Sequence, residues 1–414
     1  MTKIFKFGGA SIKDKKSINR VVQIIQKNRH NQLIIVFSAM GKVTNMLERI
    51  VNDFVNNNNP KEELQKIKNY HYQIIEELFD KDDLIYNDID NLLLEIEWVF
   101  DEGNHNSYGY IYDQIVVIGE LLSSCILSKY LKKNGFEHIL IDARDIIRTN
   151  SDYQNASVDW SFTDSSIKQK IKNKNYITQG FISCNSENIN TTLGREGSDF
   201  TAAILAYSLN AQEVTIWKDV PGLMNSDPKY FKEPTLFKNI SFDEAIELAY
   251  YGAKVIHPRT IQPLKKKNIP LYIKSFYTPE EEGTLISSQP ELIPLVPSFI
   301  VKKNQILLSI SDSNLSFIVE DHISKIFLLL LKYSIRVNLM QNSAVSFSIC
   351  FDNEKNKVIK FRNEVIKNFK VVYNENVNLY TIRNYKKDSV SQLLNNKKIL
   401  LEQRSRNTIQ LIAK

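Results

Sequence analysis

Five short stretches of the chain hold the residues whose types and spacing could do chemistry, and they share a theme of positive charge and open backbone suited to anions. Lys6-Phe7-Gly8-Gly9 closes an apolar run with a lysine and two glycines. Glycine lets backbone N–H groups approach a phosphate closely, although an ordinary turn reads from the same residues. Ser38-Ala39-Met40-Gly41-Lys42-Val43-Thr44 follows a second apolar run, where its hydroxyls suit either a carboxylate ligand or a capped helix start. Gly119-Glu120 sets an acid in the otherwise apolar stretch Ile115–Ile126. Taken alone that acid faces solvent; the other reading is that it answers a buried cation such as a ligand ammonium. Gly194-Arg195-Glu196-Gly197-Ser198-Asp199 precedes the strong helix former Thr201–Ala206. Flexible backbone, an arginine fork and an acid at a helix start make an anion site or a plain N-cap. Lys218-Asp219-Val220-Pro221-Gly222, running on to Asp227-Pro228-Lys229, is a turn-rich loop after an apolar run. Neither GxxxxGK[ST] nor a GxGxxG after a strand occurs.

The elements that must position these stretches follow from periodicity. Lys3–Phe7 and Leu33–Phe37 read as strands, the latter a continuous apolar run of the kind buried on both faces of a parallel sheet, with helical spacing of Ile18, Val21, Val22 and Ile25 between them. Two amphipathic helices follow, through Leu64, Ile67, His71, Ile74, Ile75 and Leu78 and through Ile89, Leu92, Leu93, Ile96, Val99 and Phe100. Strand-like runs recur at Ile139–Ile141, Tyr176–Ile182, Val214–Trp217 and Leu271–Ile273, so the first part reads as an α/β sandwich. Ser241-Phe242-Asp243-Glu244 is a capping box whose helix is expected to run to His257, before Pro258. Pro290, Pro294 and Pro297 mark a linker, and shorter strands and helices fill the remainder as two small α+β units.

Composition narrows the function classes. With 43% hydrophobic and 24% charged residues over 414 positions, the chain buries a sizeable core. The net charge of +6 is dispersed, the longest basic run being Lys265-Lys266-Lys267, which argues against a nucleic-acid partner. Three widely spaced cysteines and six scattered histidines form no disulfide frame and no His-based metal motif. The longest strongly apolar run, Ile326–Leu331, is far short of a membrane span, and Gly8-Gly9 interrupts any leader, so a cytoplasmic protein without membrane attachment is expected.

Taken together with Glu247–Pro258, the five stretches resemble the motifs of the aspartate kinases of the amino acid kinase superfamily. KFGGTSV appears as Lys6–Ile12, SAMGKTT as Ser38–Thr44, and the GE motif as Gly119–Ser123. TxGRGGSDxTA appears as Thr192–Ala202, TDVxGxxxxDPR as Lys218–Lys229, and ExAxxGAKVxHP as Glu247–Pro258. Six motifs stand in family order over about 290 residues, and the alternative readings lose their weight in that company. The resemblance implies an αβα sandwich with a mainly parallel central sheet over residues 1–292. It implies a smaller α+β regulatory region of two ACT-like (ferredoxin-like) units over 300–414, with roughly 313–376 inserted.

The implied activity is transfer of the γ-phosphoryl of ATP, carried with Mg²⁺, to the β-carboxylate of L-aspartate. The product is 4-phospho-L-aspartate, the first step toward lysine, threonine and methionine. A carboxylate with a pKa near ~4 is already ionised at neutral pH, so the nucleophile needs no general base. The resemblance casts Lys6 and Asp199 as catalytic and Ser38, Thr44, Glu120, Arg195 and Ser198 as substrate-binding. Lys6, Gly8, Gly9, Lys218, Asp219, Lys229 and Lys254 fall on the ATP side, and no metal is held by side chains directly. Three positions depart from the motifs: Glu196 replaces a glycine and is expected to point away or pair with a cation, while Lys218 and Met224 replace a threonine and a tyrosine.

In the regulatory half, Ile335–Ser346 aligns with the ISVDLxxTSEVS segment that binds effector lysine, making Val337, Asn338 and Ser343 candidate effector contacts. Asn338 and Ala344 stand where the family has acids, so lysine control is expected to be weak, absent or transferred to another amino-acid effector. ACT units pair across chains, which implies a homodimer. The chain ends without the last helix of the second unit and without a dinucleotide-binding segment, so a fused dehydrogenase is not expected. The alternatives are a sister kinase such as glutamate 5-kinase, which lacks this motif set, and a non-catalytic amino-acid sensor, which would have lost Lys6, Arg195, Asp199 and Asp219.

Overall fold

Apolar strands buried on both faces organise the first part of the molecule. The computed structural model describes residues 2–81, 83–253, 256–289, 291–312, 317–386, 389–394 and 397–414. Contacts divide the chain into two units: Met1–Leu223 with Leu236–Ile246 and Lys254–Pro294, and Met224–Thr235 with Glu247–Ala253 and Leu295–Lys414. In chain order the first part runs β1 (Thr2–Phe7), α1 (Lys15–Lys27), β2 (Gln32–Phe37), α2 (Val43–Val55), α3 (Lys61–Leu78), α4 (Ile85–Asp101) and α5 (Tyr108–Lys133). It continues β3 (Ile139–Leu140), α6 (Trp160–Lys170), β4 (Tyr176–Gln179), β5 (Ile182–Cys184), β6 (Asn190–Thr192), α7 (Gly197–Leu209) and β7 (Glu213–Lys218). Then come β8 (Asn239–Ser241), α8 (Phe242–Tyr251), α9 (Pro258–Lys267), β9 (Leu271–Ser275) and β10 (Thr284–Ser287).

Eight of these strands form one sheet in the order β3-β4-β2-β1-β7-β9-β10-β8, in which β9 and β10 are the antiparallel pair. Phe5, Phe7, Leu33, Ile35 and Phe37 alternate onto one face and join a core with α1 to α5. Ile4, Ile34, Val36, Val214 and Ile216 are fully buried as well, and α7 packs on β1, β2 and β7. Each such side chain contributes about 1.5–3 kcal/mol by leaving water. This is the expected α/β architecture with a mainly parallel sheet. β4 and β5 correct the single strand expected over 176–182: Phe181 adopts φ +70°, which breaks the extended run.

A second correction concerns α8. Ser241 Oγ accepts the Glu244 N–H at 3.1 Å, as a capping residue does, but the helix stops at Tyr251 instead of running to His257. Gly252 at φ +118° turns the chain, and the Gly252 and Ala253 N–H groups close onto the Leu248 carbonyl. His257 instead caps α9, its Nδ1 accepting the Arg259 N–H.

The second unit is built on two 15-residue strands, β11 (Ser298–Asp312) and β14 (Phe369–Arg383), paired antiparallel. Between them lie α10 (Glu320–Lys332), β12 (Val337–Asn342), β13 (Phe347–Asp352) and α11 (Lys355–Val365); after them come α12 (Ser389–Leu394), β15 (Ile399–Arg404) and β16 (Thr408–Ala413). The sheet order is β12-β13-β11-β14-β16-β15. One half of each long strand thus completes a β-α-β-β-α-β unit around Leu308, Ile326, Phe351 and Phe361, and the other half joins β15, β16 and α12.

Candidate active site

Three parallel strand ends place the first charges. Lys6 is the penultimate residue of β1, which pairs on one side with β2 and on the other with β7, so the C-terminal ends of all three lie together. Ser38 follows β2, and Lys218 ends β7. Ligands collect beyond strand ends of this kind in parallel sheets. Across them α7 begins, with Asp199 in its first turn. Lys6 Nζ lies 2.6 Å from Asp199 Oδ1 and Lys218 Nζ 3.2 Å from Asp199 Oδ2. Burial by itself would raise the Asp199 carboxyl, but the ammonium groups of Lys218 and Lys6 outweigh it and hold the pKa below the usual carboxylate range. Burial likewise opposes the charge on Lys218, and Asp199 and Glu196 reverse that, lifting its pKa. Asp199 is therefore an ionised carboxylate between two cations.

The glycine loop fits this geometry tightly. A side chain at Gly9 would meet the Ala39 and Gly41 carbonyl oxygens at 2.7 Å, so only glycine lets the β1 loop lie against the Ser38–Thr44 loop. The Gly41 N–H donates to Gly9 O at 3.0 Å, locking the two loops together.

Helix α5 supplies the opposing charge. Its length and apolar composition would suffice to cross a membrane, yet 83% of its most apolar stretch is buried inside the protein, which makes it a core helix. Ser123 Oγ donates to Ser38 O at 2.7 Å and ties α5 to the end of β2. Glu120 is 3% exposed, which corrects the solvent-facing reading that the isolated motif suggests. Its Oε1 accepts the Ala39 N–H at 3.3 Å, while the buried Oε2 has no hydrogen-bond partner. Burial pushes its pKa up to about 8, against the opposing pull of the Ala39 N–H and the charge of Lys6. A buried acid with one unsatisfied oxygen is suited to receiving a cationic ligand group.

These residues line one cavity of about 740 Å³ that gathers Lys6, Ser38, Thr44, Glu120, Arg195, Ser198, Asp199 and Lys218. Arg195 is exposed at its rim. Of the two arrangements expected for Glu196, pointing away or answering a cation, the first does not hold: it lines the cavity with Lys218, the cation that most opposes the cost of its burial, its Oε2 is buried without a hydrogen bond, and its backbone caps α7 at φ +54°. Sequence reasoning missed Glu48, Asn52, Tyr108, Tyr112, Gln154 and Phe181 in the wall. The signal for four of them was four-residue spacing, Thr44-Glu48-Asn52 along α2 and Tyr108-Tyr112 on the α5 face that reaches Glu120. Tyr112 Oη donates to Glu48 Oε1 at 2.9 Å and joins those two faces.

With this geometry in place, likeness to known proteins becomes informative. Residues 1–275 match the model of the amino acid kinase family. The chain is 32% identical over 353 residues to lysine-sensitive aspartokinase 3 of Escherichia coli, an alignment spanning 84% of this chain and 78% of that one. The chain belongs to the aspartokinases of the amino acid kinase family. It is also 32% identical over 370 residues to bifunctional aspartokinase/homoserine dehydrogenase 2 of Arabidopsis thaliana, covering 85% of itself and 40% of that longer protein. Among solved structures, E. coli aspartokinase III in complex with aspartate and ADP superposes with a TM-score of 0.85 at 26% identity, over 100% of this chain and 96% of that one. The aspartate kinase of Clostridium acetobutylicum gives 0.78 at 26% identity, over 100% and 96%.

Not every residue that the aspartokinase motifs single out lies in the cavity wall. Gly8 and Gly9 form the loop beneath Lys6, a side chain at Gly8 standing 3.5 Å from Lys6 Nζ. Asp219 is an exposed bend residue after β7. Lys229 is exposed in a turn of the second contact unit, its N–H donating to Asp227 Oδ1 at 2.8 Å. Lys254 and Pro290 lie outside the described residues. In the second unit, Val337 and Asn338 line a cavity of about 510 Å³ with Tyr250, Phe327, Leu331 and Met340. Ser343 is in the β12–β13 turn, bonded to Ser346. Both polar atoms of Asn338 are committed, Oδ1 to Lys302 Nζ at 2.8 Å and Nδ2 to Gln305 Oε1 at 2.8 Å.

Proposed function

We propose that this chain transfers the γ-phosphoryl group of ATP to the β-carboxylate of L-aspartate, giving 4-phospho-L-aspartate and ADP. The observation that carries the reading is the opposition, within one cavity, of the Lys6–Asp199–Lys218 cluster to the buried Glu120. A substrate oxygen already ionised attacks phosphorus, the bond to the ADP oxygen breaks, and no proton has to move; the obstacle is bringing one anion to another. Lys6 and Lys218 offset that repulsion, the α7 N-terminus adds partial positive charge, and Asp199 holds the two ammonium groups in place. Glu120 receives the α-ammonium of aspartate, Arg195 with Ser38 and Thr44 its carboxylates, and Ser198 steadies the reacting end. Asp219, Lys229 and Lys254 contribute on the nucleotide side.

Magnesium, a hard cation that keeps several waters, would enter with the nucleotide and would supply positive charge to offset that of the phosphates. The buried carboxylate beside Lys6, Asp199, is already paired with two ammonium groups, which would leave such a metal to the phosphate oxygens and water. The second unit acts as a regulatory pair of ACT-like units that joins a second copy in a homodimer. Exposed Phe327, Leu328, Leu331 and Met340 on α10 and β12 support that pairing. Three unpaired thiols accord with a cytoplasmic location. Aspartate-dependent ADP release by the purified chain, measured beside glutamate, tests the activity; preference for glutamate or release with neither amino acid refutes it.

A further inference from the structure

Two of the positions where this sequence departs from the family motifs line the cavity that holds the Asp199 carboxylate. Lys218 brings a second ammonium to Asp199, 3.2 Å from Oδ2, where Lys6 already holds Oδ1 at 2.6 Å. Two ammonium groups against one fully buried carboxylate would leave net positive charge in a poorly hydrated pocket, which is unfavourable. Glu196, three residues before Asp199 at the start of the same helix, supplies the second negative charge and lines the same cavity. Its backbone sits at φ +54°, the left-handed region in which glycine costs least and other residues carry about 1 kcal/mol or more of strain. Its Oε2 is buried without a hydrogen bond, so no local bond accounts for the carboxylate being there.

We propose that Glu196 and Lys218 act as one unit in the phosphoryl-transfer site. Lys218 is a second cation for the transferring phosphoryl group, and Glu196 is the counter-charge that makes a buried lysine beside a half-buried one tolerable before the nucleotide arrives. Burial raises the Glu196 carboxyl above its ordinary range and Lys218 is the leading cation opposing that rise, while Glu196 follows Asp199 in holding Lys218 protonated against its own burial. Removing Lys218 alone takes from Glu196 its leading cation and leaves only the weaker pull of Arg195 and Lys6 on an anion in the cavity; removing both charges together leaves no such imbalance. The inference rests on the ATP-dependent reading of this cavity.

The test is a double-substitution cycle on the full chain with MgATP at saturating aspartate. Lys218→Met is expected to lower kcat/KM for ATP about 100-fold, and Lys218→Met with Glu196→Gln to recover to within about tenfold of the unsubstituted protein. Glu196→Gln alone is expected to lower it less than about fivefold. A double variant no better than Lys218→Met, or losses that simply add, would overturn the proposal. Lys218→Arg, which keeps the charge and guards against a folding defect, should retain most activity; a loss equal to that of Lys218→Met also overturns it. Calorimetric binding needs no turnover. The unhydrolysable analogue AMP-PNP should bind more weakly to Lys218→Met and regain affinity in the double variant, with ADP little affected. Equal losses for both nucleotides would place Lys218 away from the γ-phosphate and refute its role. If binding follows the expected pattern but aspartate supports no turnover, the aspartate reading fails while the charge pair stands.

Discussion

Glu120 offers the most quantitative prediction. Its carboxyl titrates at about 8 instead of the ordinary 4.5, because it is fully buried and one oxygen is unbonded. At ~1.36 kcal/mol per pH unit, that rise of about 3.5 pH units amounts to roughly 5 kcal/mol disfavouring the ionised form in the empty protein. Between pH 4.5 and about 8 the folded protein holds a proton that the unfolded chain has released, so this group makes stability fall as pH rises through that window. Glu120→Gln, which cannot ionise, is expected to stabilise the empty protein at pH 8.5 by ~2–4 kcal/mol, after the amide's own desolvation is allowed for. Aspartate reverses the preference, since its α-ammonium needs the carboxylate ionised. Proton release is then coupled to binding, and KM for aspartate should fall about 50-fold from pH 6 to pH 8 and flatten above. Initial rates of ADP release at saturating ATP, with aspartate varied from pH 6 to 9, measure this. In Glu120→Gln, KM should be high and nearly independent of pH. A flat KM for the unsubstituted protein across pH 6–8, or aspartate binding undiminished in Glu120→Gln, would refute the assignment.

Other outcomes follow from the same geometry. Lys6→Ala removes the 2.6 Å partner of Asp199 and a cation at the transferring group, and should cut turnover by about 10²–10⁴ while the protein stays folded by circular dichroism. Near-normal turnover would contradict its role. Ile35→Ala, at a fully buried position in the interior strand β2, should cost ~2–5 kcal/mol in urea unfolding; a loss below about 1 kcal/mol would mean the sheet face is not packed as described. L-Lysine at millimolar concentration should leave turnover unchanged, because Asn338 offers no carboxylate and Lys302 already occupies its Oδ1; tight lysine inhibition would contradict this.

What the sequence disclosed about the site follows physical lines. Lys6, Ser38 and Lys218 were readable because each ends or follows a strand, where a switch from apolar run to charge or glycine is visible in one dimension. Glu120 was misread in isolation because a lone acid in an apolar stretch looks the same whether it faces water or a cavity; only the packing of α5 against the loop after β2 separates the two. The wall residues Glu48, Asn52, Tyr108 and Tyr112 depend on how α2 and α5 face each other, which no single helix encodes. The early stop of α8 was hidden because Pro258 is a stronger written signal than Gly252, yet the positive φ of the glycine acts first. The orientation of Glu196 could not be read at all, since its left-handed backbone decides whether its carboxylate points into the cavity or away.

The most direct test of the central claim is chemical trapping of the product. The purified chain, supplied with ATP, Mg²⁺ and L-aspartate in the presence of hydroxylamine, should form the β-hydroxamate of aspartate in step with ADP, one for one. ADP release without hydroxamate, or hydroxamate formed only from another amino acid, would contradict the account.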